Sequence, residues 1–303
     1  MRGRFAPSPT GPLHFGSLVA AVGSYLEARR SGGEWLIRIE DVDRQRCKAE
    51  WADDILRTLE VFRFEWDGEP IYQSRRGAFY QEALDQLAKL KVIYPCGCTR
   101  KEIADSSVQG IEGTVYPGTC RKNPPTGRSF HALRLHTNDV EISFTDAIHG
   151  EIHQNVESAI GDFVIKRADG PIAYQLAVVV DDSEQGITQV VRGADLLLST
   201  PRQIYLQHLL ELPTLQYAHL PVAVNTLGEK LSKQTGAYPV ETTSAAETLA
   251  QALAFLNHPP PPRLSLDELW HWALESWNLA KVPRQIRTRS AETHLYFHSR
   301  VSS

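Results

Sequence analysis

The 303-residue sequence contains no apolar run long enough to cross a bilayer, which argues against a helical membrane span. Its first residues, MRGRFAPSPTG, lack the apolar stretch of a secretory signal, so a cytoplasmic location is expected. A basic excess is also missing. The formal net charge of -4 gives no support for a chain devoted to gripping nucleic acid, although it leaves room for local basic patches. Two basic runs, Arg121 and Lys122 with Arg128, and Lys281 to Arg300 with Arg284, Arg287 and Arg289, read as solvated loops. Cysteine is scarce, at four residues, and an intracellular chain of this size does not rest on a disulfide framework. No GxxxxGK(S/T) loop occurs, so any nucleotide must be held by something other than a P-loop.

What is present is ordinary globular material: 42% hydrophobic and 22% charged residues, enough to bury a sizeable core. Arg2 to Ala6 reads as a strand, broken by Pro7, Pro9, Gly11 and Pro12. A helix from about Ser17 to Ala28, a strand over Trp35–Ile39, and helices marked by Trp51, Ile55, Leu59, Phe62 and by Phe79, Ala83, Leu87, Leu90 follow. This rhythm predicts an α/β fold with a parallel sheet of Rossmann type. It fails near Tyr94. Residues 94–161 read as an insertion between a first half, 1–93, and a second half, 162–238, with a helical C-terminal region over 239–303. The apolar run Leu176 to Val180 is undecided between strand and helix, because periodicity does not separate them.

Three clusters carry chemistry. Arg4 to Ser17 joins the first strand to the first helix, where a doubly wound sheet holds a nucleotide. The helix start offers free N–H groups to phosphate, His14 can donate a hydrogen bond, and Gly16 admits a flat base. Lys230-Leu231-Ser232-Lys233-Gln234 offers two lysines to neutralise a leaving pyrophosphate. Cys96-Gly97-Cys98, seventeen residues, Tyr116, three more and Cys120 form a metal candidate. Three thiolates leave a fourth position, for which Tyr116 as phenolate and His131 compete.

HFGS at His14–Ser17 resembles the HIGH motif of class I aminoacyl-tRNA synthetases, and KLSKQ resembles their KMSKS motif, in matching order. RFAPSPTGPLHFGS, IRIEDVDRQR, YQSRR and YQLAVVVDD resemble the glutamyl-tRNA synthetases in particular, from about residue 2 to about residue 240. Ser17 stands where the second HIGH histidine falls, a small residue such as glutamate-type members often carry.

The resemblance implies ATP-dependent activation of L-glutamate. His14 and Lys233 would be catalytic, and His14, Gly16, Ser17, Lys230, Ser232 and Lys233 would bind ATP with Mg²⁺. Arg4, Ser8, Glu40, Tyr174 and Arg192 would contact glutamate, the arginines taking its carboxylates and Glu40 its ammonium. The bland rival is that Glu40 and Asp41 pair with Arg38 or Arg44 as surface salt bridges. Val178 stands where the family tends to have Asn, which predicts weaker glutamate binding.

Relatives with the Cys-x-Cys…Tyr-x-x-x-Cys pattern imply one structural Zn²⁺ on Cys96, Cys98, Tyr116 and Cys120. Only about seventy residues follow KLSKQ, too few for an anticodon-reading region. The chain therefore looks like the shortened paralogues of the glutamyl-tRNA synthetases. These transfer glutamate to queuosine, the modified wobble base of tRNA(Asp), and so imply an anticodon stem-loop as partner, with no membrane and no obligate protein partner. The alternatives are a truncated synthetase charging the 3′ end of tRNA and a non-catalytic synthetase-derived RNA-binding module.

Overall fold

In the computed structural model, residues 1–106, 108–110, 113–123, 126, 131–224 and 238–289 are described. The first unit is β1 (Arg2–Phe5), α1 (Phe15–Arg30) and β2 (Glu34–Ile39). The prolines between β1 and α1 end the strand, and His14 then caps the helix in an extended conformation. The two strands run parallel, with Arg4 opposite Leu36. The helix α2 (Ala49–Val61) leads to β3 (Ile71–Tyr72), which pairs parallel with β2, and α3 (Gly77–Lys89) follows. Within α3 the buried residues are Tyr80, Ala83, Leu84 and Leu87, whereas Phe79 and Leu90 are exposed. The expected stripe is thus rotated. Tyr80 turns inward because its hydroxyl donates to the buried Asp181 carboxylate, 2.8 Å away.

The middle of the chain comprises β4 (Ile93–Cys96), α4 (Arg100–Ser106), β5 (Val108–Gly110), β6 (Gly113–Val115), α5 (Thr119–Lys122), β7 (Ala132–Leu135), β8 (Glu141–Asp146), β9 (Gly150–Asn155), α6 (Val156–Ala159) and β10 (Phe163–Lys166). Pairing crosses the limits drawn at 94 and 161. The strand β10 completes a sheet with β7 and β4, while β8 pairs with a strand of the second half. That half contains α7 (Tyr174–Glu184), β11 (Gln189–Gly193), α8 (Thr200–Leu209), β12 (Gln216–Leu220) and β13 (Val222–Val224). The run Leu176–Val180 is helix, buried along its whole length in an apolar core.

The strands β11, β12 and β8 are parallel, and β9 closes the edge antiparallel. Thr188 N–H donates to the Arg2 carbonyl at 3.0 Å, so β11 lies beside β1 and the two parallel sheets meet edge to edge. Helix α1 spans that seam. At Gly23 an added Cβ would lie 2.5 Å from Leu220 Cδ1, so a larger residue there would have to push the Leu220 side chain aside.

The C-terminal part adds α9 (Ala245–Phe255), α10 (Leu266–Ser276) and β14 (Arg287–Arg289). The two helices share one apolar core with α1. Tyr25, Trp35, Phe64 and Trp270 meet in ring contacts between 5.0 and 5.4 Å, and Trp270 Nε1 donates to the Phe62 carbonyl. The basic runs are not simply solvated loops. Arg287–Arg289 pairs parallel with β13, and Arg121 is bonded to the buried Asp162 carboxylate. Arg128 lies outside the described residues. Among the described residues no helix is long and apolar enough to cross a membrane.

Candidate active site

A cavity of about 550 Å³ opens at the C-terminal ends of β1, β2 and β11. It is lined by Arg4, Ser8, His14, Gly16, Ser17, Glu40, Tyr174 and Arg192 among others. Strand ends around a sheet seam are where an open α/β fold has room for ligand, because the connections diverge there. The start of α1 forms one wall. No acidic residue occupies its first turn, so its positive end is unopposed. His14 Nδ1 lies 3.3 Å from Ser17 N, and Ser17 Oγ lies 3.1 Å from His14 Nε2.

The opposite wall is a buried charge cluster. Arg4 Nε donates to Asp182 Oδ1 at 2.9 Å, and Arg38 Nη1 donates to the same oxygen at 2.7 Å. Burial alone would lift the Asp182 pKa; the Arg38 and Arg4 guanidiniums outweigh it and hold the carboxyl below its ordinary value. Glu40 Oε1 lies 3.6 Å from Arg38 Nη2. The pairing with Arg38 considered from sequence therefore exists, but in the interior rather than at the surface. Asp41 instead accepts from Ser74 N at 2.8 Å and Ser74 Oγ at 2.6 Å. Burial pushes Glu40 up to about 7, against the lowering effect of Arg38 and Arg4. A carboxyl so poised gains most from an incoming cation, which would take the place of lost water.

Arg192 is 5% exposed and directly opposite His219 in the register of β11 and β12. Its Nε donates to His219 Nε2 at 3.1 Å, and its Nη2 to Thr200 Oγ1 at 2.8 Å. Its Nη1 is buried without a hydrogen-bond partner among the described residues. Two arginines (Arg4, Arg192) and two carboxylates (Glu40, Asp195) thus line the cavity, with Arg38 and Asp182 buried behind Arg4 and Glu40. Cations and carboxylates set side by side in this way suit an amino acid that carries both carboxylates and an ammonium.

A second cluster lies in the β4–α5 region. The sulfurs of Cys96, Cys98 and Cys120 all lie within 4.8 Å of one another. Tyr116 Oη is 3.4 Å from Cys96 Sγ and 3.6 Å from Cys98 Sγ, while His131 is not part of this group. Burial pushes the Cys98 thiol up to about 11 and lifts the Tyr116 hydroxyl well above its ordinary value. Three converging sulfur atoms with a phenol oxygen beside them could hold a metal ion, and a dication would reverse both shifts. The cluster is remote from the chemistry of the first cavity in sequence, and its four side chains tie β4 to α5.

The cavity brings together all five residues expected to contact glutamate, with His14, Gly16 and Ser17. Lys230, Ser232 and Lys233 lie outside the described residues. The flanks of that stretch are described: Val222 and Ala223 line the cavity, and Pro239 forms an antiparallel bridge with His14. Val178 is 1% exposed in the apolar core and does not line the cavity. Arg38, Asp146 and His219 were not singled out from sequence as site residues. Their partners are 144 and 73 residues away in the chain, and no local pattern announces such a pairing.

Comparison with known proteins gives the family. The catalytic domain of class I tRNA synthetases (E and Q) matches residues 1–257. The glutamyl-Q tRNA(Asp) synthetase of Dechloromonas aromatica is 57% identical over 94% of this chain and 96% of its own length. That of Chromobacterium violaceum is 57% identical over 93% and 95%. A crystal structure of glutamate-tRNA synthetase from Elizabethkingia anophelis superposes with a TM-score of 0.77 at 25% identity, covering 98% of this chain and 69% of that one.

Proposed function

Because the chain belongs to the class I tRNA synthetases of the E and Q type, which it matches over residues 1–257, we propose that it activates L-glutamate with ATP and transfers it to the queuosine base of tRNA(Asp). The observation that carries this reading is the union of Arg4, Glu40 and Arg192 with the His14 end of α1 around one cavity. The buried arginines take the carboxylates of glutamate and Glu40 takes the ammonium, so neither charge type is left unpaired. ATP lies along the start of α1, its phosphates at His14, Gly16 and Ser17.

The chemistry then has two steps. A glutamate α-carboxylate oxygen attacks the α-phosphorus; the bond to the β-phosphate oxygen breaks, giving glutamyl-adenylate and pyrophosphate. His14 and Lys233 stabilise the charge that develops. The stretch of Lys230, Ser232 and Lys233 is bounded on both sides by residues at the cavity, which supports this role. Magnesium entering with ATP supplies charge neutralisation for the pyrophosphate. A ring hydroxyl of the modified base then attacks the mixed anhydride, and AMP leaves. Cys96, Cys98, Tyr116 and Cys120 would hold one zinc ion whose work is structural, fixing β4 against α5.

The acceptor decides between this reading and 3′-end charging. Labelled glutamate is expected on an isolated tRNA(Asp) anticodon stem-loop that carries queuosine and not on the same loop carrying guanosine. Label on both loops, on neither, or at the 3′ end of intact tRNA would overturn the assignment.

A further inference from the structure

We propose that Asp146 and His219 are positioning residues for the amino-acid pocket, holding the Arg192 guanidinium with two nitrogens engaged and the third kept for a substrate carboxylate. This inference rests on the glutamate reading above and deepens it.

The arrangement begins with backbone. Asp146 ends β8, where its Oδ1 accepts from Ile148 N at 3.0 Å and His149 N at 2.9 Å. Those bonds fix the carboxylate and leave Oδ2 for His219 Nδ1, 2.6 Å away. A carboxylate can only accept, so Nδ1 must carry the proton in that bond. The imidazole is fully buried, and desolvation lowers its pKa to about 4, with Asp146 opposing and Arg192 adding to the fall. It is therefore neutral near pH 7, and Nε2 is left as a bare acceptor. Arg192 Nε donates to it. The parallel register of β11 and β12 sets Arg192 opposite His219, so the contact needs no loop to form.

The remaining contacts close the arrangement. Thr200 Oγ1 accepts from Arg192 Nη2 and lies 3.1 Å from His219 Nε2. The Tyr217 ring stacks on the imidazole at 6.2 Å. Of the three guanidinium nitrogens of Arg192, Nη1 alone finds no acceptor among the described residues. A buried charged donor without a partner costs free energy in the empty protein, and an arriving carboxylate recovers it. A charge-assisted hydrogen bond of this kind corresponds to about 10- to 100-fold in affinity.

Glutamate-dependent ATP–pyrophosphate exchange tests the inference, with KM for glutamate, KM for ATP and kcat measured separately. In His219→Leu, KM for glutamate should rise about tenfold or more while KM for ATP stays within about twofold. His219→Gln keeps a donor for Asp146 and an acceptor for Arg192, and should hold KM for glutamate within about threefold of wild type. Asp146→Asn guards against a Leu variant that does not fold. Its amide would donate to Nδ1, move the imidazole proton to Nε2 and set it against the Arg192 N–H, again raising KM for glutamate. Equal behaviour of the Leu and Gln variants, or KM for ATP rising in step with KM for glutamate, would overturn the inference. Absence of glutamate-dependent exchange in the wild-type protein would instead overturn the glutamate reading on which it rests.

Discussion

Glu40 gives the sharpest prediction, because its environment serves binding at the expense of stability. Burial raises its folded-state pKa from 4.5 to about 7, against Arg38 and Arg4. An acid whose folded pKa is raised binds more protons folded than unfolded, so the empty protein loses stability as pH rises from 4.5 to about 7. At about 1.4 kcal/mol per pH unit the full loss is at most about 3.5 kcal/mol, all of it present above pH 7. Glutamate reverses the balance, because its ammonium favours the ionised carboxyl. Binding then requires loss of the Glu40 proton, and glutamate affinity should fall about tenfold between pH 8 and pH 6.

Glu40→Gln removes the titration. Titration calorimetry with glutamate should give weaker binding at pH 8 and a flat profile down to pH 6. The same variant should melt higher than wild type at pH 8, by about 5 °C for the full effect. A wild-type affinity that is flat over this range, or a slope that survives in Glu40→Gln, would refute the reasoning.

Two further predictions concern other parts of the fold. Purified protein should carry about one zinc ion per chain, and Tyr116→Phe should weaken zinc binding at least about a hundredfold in chelator competition, because it removes a hydroxyl that lies against two of the sulfurs; unchanged affinity would return the fourth position to another residue. Trp270→Ala should cost about 3–5 kcal/mol in urea unfolding, because the ring fills the junction of α1, α10 and Phe64 and donates to the Phe62 carbonyl; a change below about 1 kcal/mol would mean that the C-terminal helices are not part of the main core.

How much of this was legible in the sequence depends on whether the determining contact is local. The β1–proline–α1 unit was readable because prolines break the strand and the helix cap follows at once. Leu176–Val180 was not, since a segment buried on every side has no period to read. Helix ends were also hidden. Arg63, Lys91, Glu211 and Asn257 adopt left-handed φ between 56 and 62°, where glycine would have announced the stop. Strand β14 is the charged run Arg287–Arg289, and only its pairing with β13 makes it a strand.

In the pocket, Arg4, Glu40 and Arg192 could be proposed because each stands at a strand end. The contacts behind them could not. Asp182 serves Arg4 from 178 residues away, and Asp146 serves His219 from 73. A lone histidine in an apolar strand reads as core until the register is known.

The central physical claim is that the cavity, built from this chain's own side chains, matches an acidic amino acid and holds it for activation by ATP. ATP–pyrophosphate exchange without any RNA measures this directly, with L-glutamate, L-glutamine and L-aspartate compared at equal concentration. The account predicts exchange with glutamate and at least about a hundredfold less with glutamine, whose amide leaves an arginine unpaired. Equal exchange with glutamine, or exchange that appears only when RNA is added, would contradict it.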